Sequence, residues 1–143
     1  MPQTARVLVA DHDPVQRAIV AGMLDLAGFD CEEALDGEAA LQALACRPAD
    51  VVVLEMLMPN KDGIEVLIHI KREWPDTKVL TISAGGLMSP AQLLHLSRAL
   101  GADATMAKPL RRGAFVAAVR DLAGRSPRAA AEPAGAASDA AWP

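Results

Sequence analysis

The sequence predicts an α/β fold in which helices cover both faces of a parallel β-sheet. Two observations predict this fold class. Short apolar runs recur along the chain without the polar alternation that marks a half-exposed strand. Segments with the periodicity of helices separate these runs in strict alternation, as expected for consecutive right-handed β-α-β units. At 143 residues the chain is long enough to bury a core without disulfides or metals.

Five segments are predicted as strands. Four of them are apolar on both faces and are expected to be buried parallel strands, namely Arg6–Ala10, Val51–Leu54, Lys78–Ser83 and Ala104–Ala107. The fifth, Asp30–Glu33, is weaker and more polar, which is typical of an edge strand.

Five further segments are predicted as helices, namely Asp13–Ala27, Glu38–Cys46, Ile64–Glu73, Ser89–Leu100 and Arg111–Arg125. Two of them have clear start signals, because an N-cap residue precedes a proline at Asp13-Pro14 and at Ser89-Pro90. Gly28 follows the first helix, where glycine commonly ends a helix.

Apolar residues repeat with helical spacing in the first and last helices. In the first helix one face carries Val15, Ile19, Met23 and Leu26. In the last helix the repeating residues are Phe115, Val119 and Leu122. Stripes of this kind are typical of helices that pack on a core.

The composition excludes several classes of function. The formal net charge of −4 gives no reason to expect binding to nucleic acid or to an anionic membrane. No apolar stretch approaches the roughly 20 residues of a membrane-spanning helix, and the N-terminus lacks the pattern of a signal peptide. We therefore expect a soluble protein of the cytoplasm.

The chain is predicted to contain one domain, residues 1–125, and a tail, residues 126–143. The tail is rich in alanine and proline, and Trp142 is its one bulky apolar residue. Such a segment buries too little surface to offset the entropy of ordering it. The tail is therefore predicted to be disordered.

Polar residues stand where the predicted strands end. They are Asp11, His12, Glu55, Ser83 and Lys108. Doubly wound parallel sheets bind ligands at the carboxyl ends of their strands, beside the point where the strand order reverses. We expect all of these side chains except that of His12 to converge on one pocket.

The segment that contains Glu55 carries a resemblance to a known family. Val51–Gly63 reads as a buried strand that ends on a carboxylate, followed by a loop with Met-Pro and Asp-Gly. It resembles the phosphorylation loop of response-regulator receiver domains, the CheY-like signalling domains. The resemblance covers residues 5–125 and implies a flavodoxin-like, doubly wound (βα)5 sheet with the strand order 2-1-3-4-5.

The resemblance also implies roles for individual residues. Glu55 stands at the position of the aspartate that becomes phosphorylated. Ser83 and Lys108 match the hydroxyl group and the lysine that contact the phosphoryl group. Asp11 matches the first of two acids that bind Mg²⁺, and Leu57 would offer its backbone carbonyl to the metal.

Three positions depart from the family pattern. Glu55 replaces the aspartate, His12 replaces the second acid, and Thr105 stands where an aromatic switch residue is usual. Because Mg²⁺ prefers oxygen ligands in octahedral geometry, an imidazole at this position predicts a weak or empty metal site. An alignment in which Asp11 and Asp13 form the acidic pair stays open.

The favoured interpretation is a single-domain receiver of two-component phosphorelay signalling that acts by protein contact and is not an enzyme. The carboxylate of Glu55 would reach about 1.5 Å further than that of aspartate and partly mimic the phosphorylated state. One alternative is a working phosphotransfer receiver, phosphorylated on Glu55, or on aspartate if the glutamate is engineered. A small-ligand-binding variant and a passive scaffold are the others.

The resemblance implies where partners bind. The contact surface of receivers usually comprises the fourth helix, fifth strand and fifth helix, which here span Ser89–Arg125. The expected partner is a histidine kinase, a phosphotransfer protein or an effector protein, and a second copy of the chain is a further candidate.

Overall fold

The computed structural model describes residues 4–58, 63–83 and 89–127. Its elements follow one another as β1 (Arg6–Ala10), α1 (Pro14–Leu26), β2 (Asp30–Ala34), α2 (Gly37–Cys46), β3 (Val51–Glu55), α3 (Gly63–Glu73), β4 (Lys78–Ser83), α4 (Pro90–Ala99), β5 (Ala104–Ala107) and α5 (Arg112–Gly124). The strands form one parallel sheet in the order β2-β1-β3-β4-β5. The predicted fold class and strand order are confirmed.

The predicted helix starts are also observed. The side chain of Asp13 accepts hydrogen bonds from the backbone N–H groups of Val15 and Gln16 and so caps α1. Ser89 and Gln92 form a reciprocal capping box at the start of α4. Gly28 follows α1 with φ +95°, a conformation that glycine adopts without strain.

The sheet separates two apolar cores. On one face, β-strand residues such as Leu8 and Leu54 pack against α2, α3 and Leu93 of α4. On the other face, alternate strand residues pack against α1 and α5. The predicted stripe of α5 lies in this second core, because Phe115, Val119 and Leu122 are all buried. Strands β1 and β3 are buried along their whole length, which explains their uninterrupted apolar sequence. The predicted burial of Ala104–Ala107 is wrong, because β5 lies at the edge of the sheet and is only half-buried.

The apolar stripe predicted for α1 does not face the core. The residues of α1 that are buried against the sheet are Val20, Ala21 and Leu24. The side chains expected there point outward instead: Val15 is 64%, Ile19 52% and Leu26 83% exposed. The expectation that this stripe packs on the core is therefore wrong for these three residues, whereas Met23 is half-buried and packs against the second core. Helix α1 is apolar on two opposite faces, and spacing alone does not distinguish them.

Helix α4 is attached to the sheet through a buried polar contact. The hydroxyl groups of Thr81 in β4 and Ser97 in α4 lie 2.8 Å apart and share a hydrogen bond. Both residues are fully buried, and the Ser97 hydroxyl also donates to the carbonyl of Leu94. Since a buried hydroxyl without a partner is costly, this pair fixes the position of α4 along β4.

The opposite end of the sheet carries a second buried polar contact. The carboxylate of Asp50 accepts a hydrogen bond from the backbone N–H of Arg6 at 2.8 Å. Its other oxygen accepts one from the Ser126 hydroxyl at 2.6 Å. Ser126 is buried and follows α5, so this contact holds the end of α5 against the start of β3.

The predicted disordered tail falls almost entirely on residues 128–143, which lie outside the described residues, and it stays a prediction. Within the described ranges, every helix is either too short or too polar to cross a membrane.

The start of α3 lies against the end of β3. A Cβ atom added to Gly63 would lie 2.4 Å from the Cα atom of Met56 and 2.8 Å from the carbonyl oxygen of Glu55. The Gly63 N–H donates to the Met56 carbonyl at 3.0 Å. This backbone contact requires glycine at position 63 and holds the start of α3 against the residue that follows Glu55.

Replacing this glycine tests the contact. We expect Gly63→Ala to lower the free energy of unfolding by about 1–3 kcal/mol, because the methyl group displaces backbone that has no room to move. Urea denaturation measures the change. Gly124→Ala is the matched control, since a Cβ there meets nothing within 4 Å. Equal losses in the two variants would contradict the assigned contact.

Candidate functional site

The register of the sheet brings the ends of the strands to one edge. Glu55 is the last residue of β3 and pairs with Ile82, and Ser83 ends β4 beside Ala107. Asp11 and Lys108 directly follow β1 and β5. The structure thus places the predicted residues around one pocket, called the strand-end pocket here and formed by Asp11, Glu55, Ser83 and Lys108.

A lysine lies between two buried carboxylates in the strand-end pocket. Lys108 Nζ lies 2.5 Å from Glu55 Oε1 and 3.6 Å from Asp11 Oδ2. The side chains of Glu55 and Asp11 are only 5% and 2% exposed. Because such buried anions need compensation, the ammonium group is the cation that makes their burial tolerable.

The second oxygen of Glu55 is also engaged. Glu55 Oε2 accepts a hydrogen bond from the backbone N–H of Leu57 at 3.0 Å. The resemblance assigned the carbonyl of Leu57 to a metal, whereas the contact seen here uses its N–H group. This hydrogen bond and the lysine together hold the glutamate side chain in one orientation.

Asp11 is anchored by its surroundings in β1 and α1. Its Oδ1 accepts a hydrogen bond from the Asp13 N–H at 3.0 Å, and its backbone carbonyl accepts one from Arg17 at 2.9 Å. Its Oδ2 has no hydrogen-bond partner among the described residues and faces Lys108. Sequence reasoning missed Arg17, because a contact with a backbone carbonyl leaves no motif.

The electrostatics of the strand-end pocket favour the charged lysine. Burial by itself lowers the pKa of Lys108, but the hydrogen bond and charge of Glu55 act in the opposite direction. Asp11 adds to their effect. The net result is a pKa of Lys108 raised above the ordinary value of 10.5, so the ammonium form persists throughout the neutral range.

His12 does not join the strand-end pocket. Its side chain is 48% exposed, and its Nδ1 lies 3.9 Å from Asp11 Oδ1. Asp13 does not join it either, because its carboxylate caps α1 at 2.9 Å from the Val15 nitrogen. Because the carboxylate of Asp13 is used for this cap, the alignment in which Asp11 and Asp13 form the acidic pair is disfavoured.

Ser83 and Thr105 lie on the side of the pocket that faces α4. Ser83 is fully buried, and its carbonyl accepts a hydrogen bond from the Lys108 N–H at 3.1 Å. Thr105 is half-buried and pairs in register with Thr81, the residue that holds α4. The position of the family's aromatic switch therefore carries a small hydroxyl side chain next to the buried contact with α4.

The residues present do not fit a Mg²⁺ ion. A hard cation needs several oxygen ligands in octahedral geometry. Here the ammonium of Lys108 lies beside both carboxylates, and position 12 offers an imidazole. In the part of the chain that the structure describes, no group of three or more His, Cys, Asp or Glu side chains is arranged to hold a metal.

Comparison with known proteins gives a consistent result. Residues 7–120 match the family described as the response regulator receiver domain. The chain is 34% identical over 121 residues to the transcriptional regulatory protein CpxR of Klebsiella pneumoniae, covering 85% of this chain and 50% of that protein. It is 32% identical over 121 residues to the response regulator MprA of Mycolicibacterium vanbaalenii, covering 85% and 51%. The chain thus spans about half the length of these relatives.

Solved structures give the same fold. The receiver domain of the Francisella response regulator 1452 is 29% identical and superposes with a TM-score of 0.77, covering 85% of this chain and 98% of that one. The receiver domain of NtrX from Brucella abortus is 26% identical with a TM-score of 0.76, covering 82% and 97%.

The ligand set of the strand-end pocket predicts weak metal binding. We expect a calorimetric titration with Mg²⁺ to give little or no heat of binding, because His12 replaces a carboxylate. His12→Asp should strengthen binding, whereas Glu55→Asp alone should not. Wild-type affinity equal to that of an ordinary acidic site would refute this expectation.

The raised pKa of Lys108 predicts how its contribution to stability depends on pH. We expect Lys108→Met to lower the free energy of unfolding by about 1–3 kcal/mol at neutral pH, because it leaves two buried carboxylates without a cation. Since the folded-state pKa is raised, this contribution is fully present below pH 10.5 and is lost only as the pH rises through the folded-state value. Urea denaturation at neutral and alkaline pH measures it.

Lys78→Met is the matched control, because Lys78 lies at the start of β4, away from the pocket. A loss in Lys108→Met that disappears well below pH 10.5 would contradict the direction of the pKa shift.

Proposed function

The chain belongs to the response regulator receiver domain family of two-component signalling, and we propose that it is an atypical receiver in which Glu55 partly mimics the phosphorylated aspartate. The 2.5 Å contact between Glu55 Oε1 and Lys108 Nζ is the observation that carries the proposal. The resemblance assigns this lysine to the phosphoryl group. In this chain the glutamate side chain itself reaches it.

The strength of such a mimic is limited by charge. A phosphoryl group carries nearly two negative charges and three acceptor oxygens, whereas Glu55 carries one charge and two oxygens. Two unit charges 4 Å apart attract by roughly 4 kcal/mol at an effective dielectric constant of 20, before desolvation is subtracted. A conformational bias of about 1–3 kcal/mol is therefore the expected scale, and it shifts the population only in part.

Phosphorylation of Glu55 is the second candidate, and the pocket geometry disfavours it. Both oxygens of Glu55 have partners, in Lys108 and in the N–H of Leu57. The residue is 4% exposed, so a phosphodonor has little access to it. Phosphoryl transfer also depends on a metal that neutralises charge, and the residues around this pocket do not fit one. If the glutamate is engineered, the natural aspartate would carry the phosphotransfer function.

Small-ligand binding in the strand-end pocket is less well supported. Its ionic groups already satisfy one another, since Lys108 lies beside both Glu55 and Asp11. A ligand would have to displace this contact. The passive-scaffold reading differs from the mimic reading in one prediction: removing the charge of Glu55 would have no effect on β5 and α4.

Output by protein contact completes the proposal. We call α4, β5 and α5 the partner face, as the resemblance implies. An open apolar cavity of about 580 Å³ lies along α4 there, lined by Ala91, Gln92, His95, Leu96 and Ala99. The chain also matches part of the sensor histidine kinase RcsC of Salmonella typhimurium, with 31% identity over 104 residues, which supports a kinase or phosphotransfer protein as the partner.

Removing the charge of Glu55 tests the mimic. We expect Glu55→Gln to lower the local opening free energy of β5 and α4 by about 1–2 kcal/mol, because it removes a charged hydrogen bond at nearly constant shape. Amide hydrogen exchange along Ala104–Ala107 and Pro90–Ala99 measures the effect. Glu38→Gln, which changes an exposed glutamate on α2, is the matched control. Equal protection of these amides from exchange in the two variants would show that the charge of Glu55 has no effect on β5 and α4, as the passive-scaffold reading predicts.

Incubation with acetyl phosphate and Mg²⁺ separates the mimic from the phosphotransfer reading. We expect the intact mass of the wild-type protein to stay unchanged, because the oxygens of Glu55 are buried and engaged. Glu55→Asp and His12→Asp/Glu55→Asp are compared in the same incubation, and the double variant should gain one phosphoryl group. A phosphoryl group on wild-type Glu55 would replace the mimic reading with the phosphotransfer one.

A further inference from the structure

A groove between α1 and α5 combines an apolar floor with cationic side chains. We call it the α1–α5 groove, and its volume is about 440 Å³, within the range of sites that hold small organic molecules. None of the described residues that line it is acidic, although acidic residues outnumber lysines and arginines in the chain by 18 to 14. The groove is lined chiefly by Met23 and Ala27 of α1 and by Arg112, Gly113, Val116 and Arg120 of α5.

The two arginines of the groove differ from most other arginines of the protein. Within the described ranges, Arg112 and Arg120 form no ion pair with a carboxylate, and both are exposed. Their positive charges are therefore available to an anion from outside the chain. The arginines that do form ion pairs are Arg6, Arg17, Arg47, Arg72 and Arg125.

The position of Arg120 is set by an aromatic ring. Its guanidinium carbon lies 5.5 Å from the centre of the Phe29 ring, and Phe29 packs against the second core. A contact of this kind holds the face of the guanidinium and leaves its N–H groups for hydrogen bonds. Since no described residue accepts a hydrogen bond from Arg120, these donors point to an acceptor supplied by a ligand.

The floor of the groove is kept open by a glycine. A Cβ atom added to Gly113 would meet nothing within 4 Å, and its φ lies outside the positive range, so neither packing nor backbone conformation requires glycine there. Val116 lies between Gly113 and Arg120 on α5 and makes this floor apolar. From position 113 to position 120 the helix rises by about 10 Å, which is the length of a short aliphatic chain.

We propose that the α1–α5 groove binds an aliphatic carboxylate. The guanidinium of Arg120 binds the carboxylate through paired N–H donors, and the aliphatic chain lies on Val116 and ends at Gly113. Arg112 adds positive charge at the opposite end of the groove. Binding of this ligand does not require Glu55 or Lys108 to act as proposed above, since neither residue lines the groove.

Charge and size select this occupant. A neutral apolar molecule would cover the floor but leave the N–H donors of Arg120 unused, and a cation would be repelled by both arginines. A protein segment needs roughly 800 Å² of contact on this chain for a stable complex, whereas the volume of about 440 Å³ suits a small molecule.

Octanoate is the probe, and an NMR titration of the isotope-labelled full chain measures its binding. We expect the amide signals of residues 23–27 and 113–120 to shift with a dissociation constant on the order of 1 mM, as befits a ligand of this size. Octanol and octyltrimethylammonium carry the same aliphatic chain without the negative charge. At equal concentration they should shift these signals only slightly.

Replacing the arginine tests the anion contact. We expect Arg120→Gln to raise the dissociation constant for octanoate about fivefold, because it removes the charge and the paired donors while keeping most of the side chain. Arg98→Gln is the matched control. Arg98 is an exposed arginine on α4 that also forms no ion pair within the described ranges, and its variant should bind octanoate like the wild type.

Filling the floor tests the place of the aliphatic chain. Gly113→Leu should abolish the octanoate shifts without lowering the thermal midpoint, because the new side chain enters open space in the groove. Gly124→Leu is the control, since a Cβ there also meets nothing within 4 Å and Gly124 does not line the groove. Its octanoate shifts should match those of the wild type.

The remaining outcomes overturn the proposal. Equal shifts with octanoate and octanol would leave an apolar groove without an anion site. Octanoate shifts confined to other residues, or unchanged in Arg120→Gln, would place the carboxylate elsewhere. A wild-type protein that shows no shift up to about 20 mM octanoate would leave the groove to an acidic segment of a protein partner. No phosphodonor or Mg²⁺ is added, so failure of the mimic reading leaves this test unaffected.

Discussion

The ammonium group of Lys108 between two buried carboxylates is the interaction on which the functional end of this protein depends. Asp11 follows β1 and Glu55 ends β3, and each side chain is almost completely removed from water. Without a cation their mutual repulsion and lost hydration would oppose the register of β1, β3 and β5. The cluster combines one cationic side chain with two acidic ones, so the acidic groups outnumber the cation in the folded protein.

The buried hydroxyl pair of Thr81 and Ser97 lies between β4 and α4, on the side of the cluster that faces the partner face. Ser83 ends β4 in the strand-end pocket, and Thr81 lies two residues earlier on the same face of that strand. Thr81 is bonded to Ser97 of α4. Ser83, Thr81 and Ser97 therefore lie one after another between the strand-end pocket and α4, and position 105 beside them carries no aromatic side chain.

Much of the fold follows from the sequence because the relevant physics is local. Asp13-Pro14 and Ser89-Pro90 determine where two helices begin, and continuous apolar runs such as Val51–Leu54 require burial on both faces. Convergence at the strand ends follows from the parallel arrangement. The strand order came from the family resemblance, since periodicity does not specify which strands are neighbours.

Other features depend on contacts that sequence patterns do not encode. The predicted orientation of α1 was wrong because both faces of this helix are apolar. Only the three-dimensional packing selects Val20 and Leu24 for the core. The N–H of Leu57 and the guanidinium of Arg17 act on or through backbone atoms, which any residue type supplies. Such contacts become visible only once the chain has folded.

The hydrogen bond between Ser126 and Asp50 fixes the end of α5 at the pole of the sheet opposite the strand-end pocket. Asp50 precedes β3, whereas Glu55 ends it, so the two poles are separated by the length of a strand of five residues, about 15–17 Å. Ser126 is therefore held on the side of the sheet opposite the strand-end pocket. A label attached at position 127 would lie away from that pocket, so it could report on the protein without touching the residues that carry the proposed function.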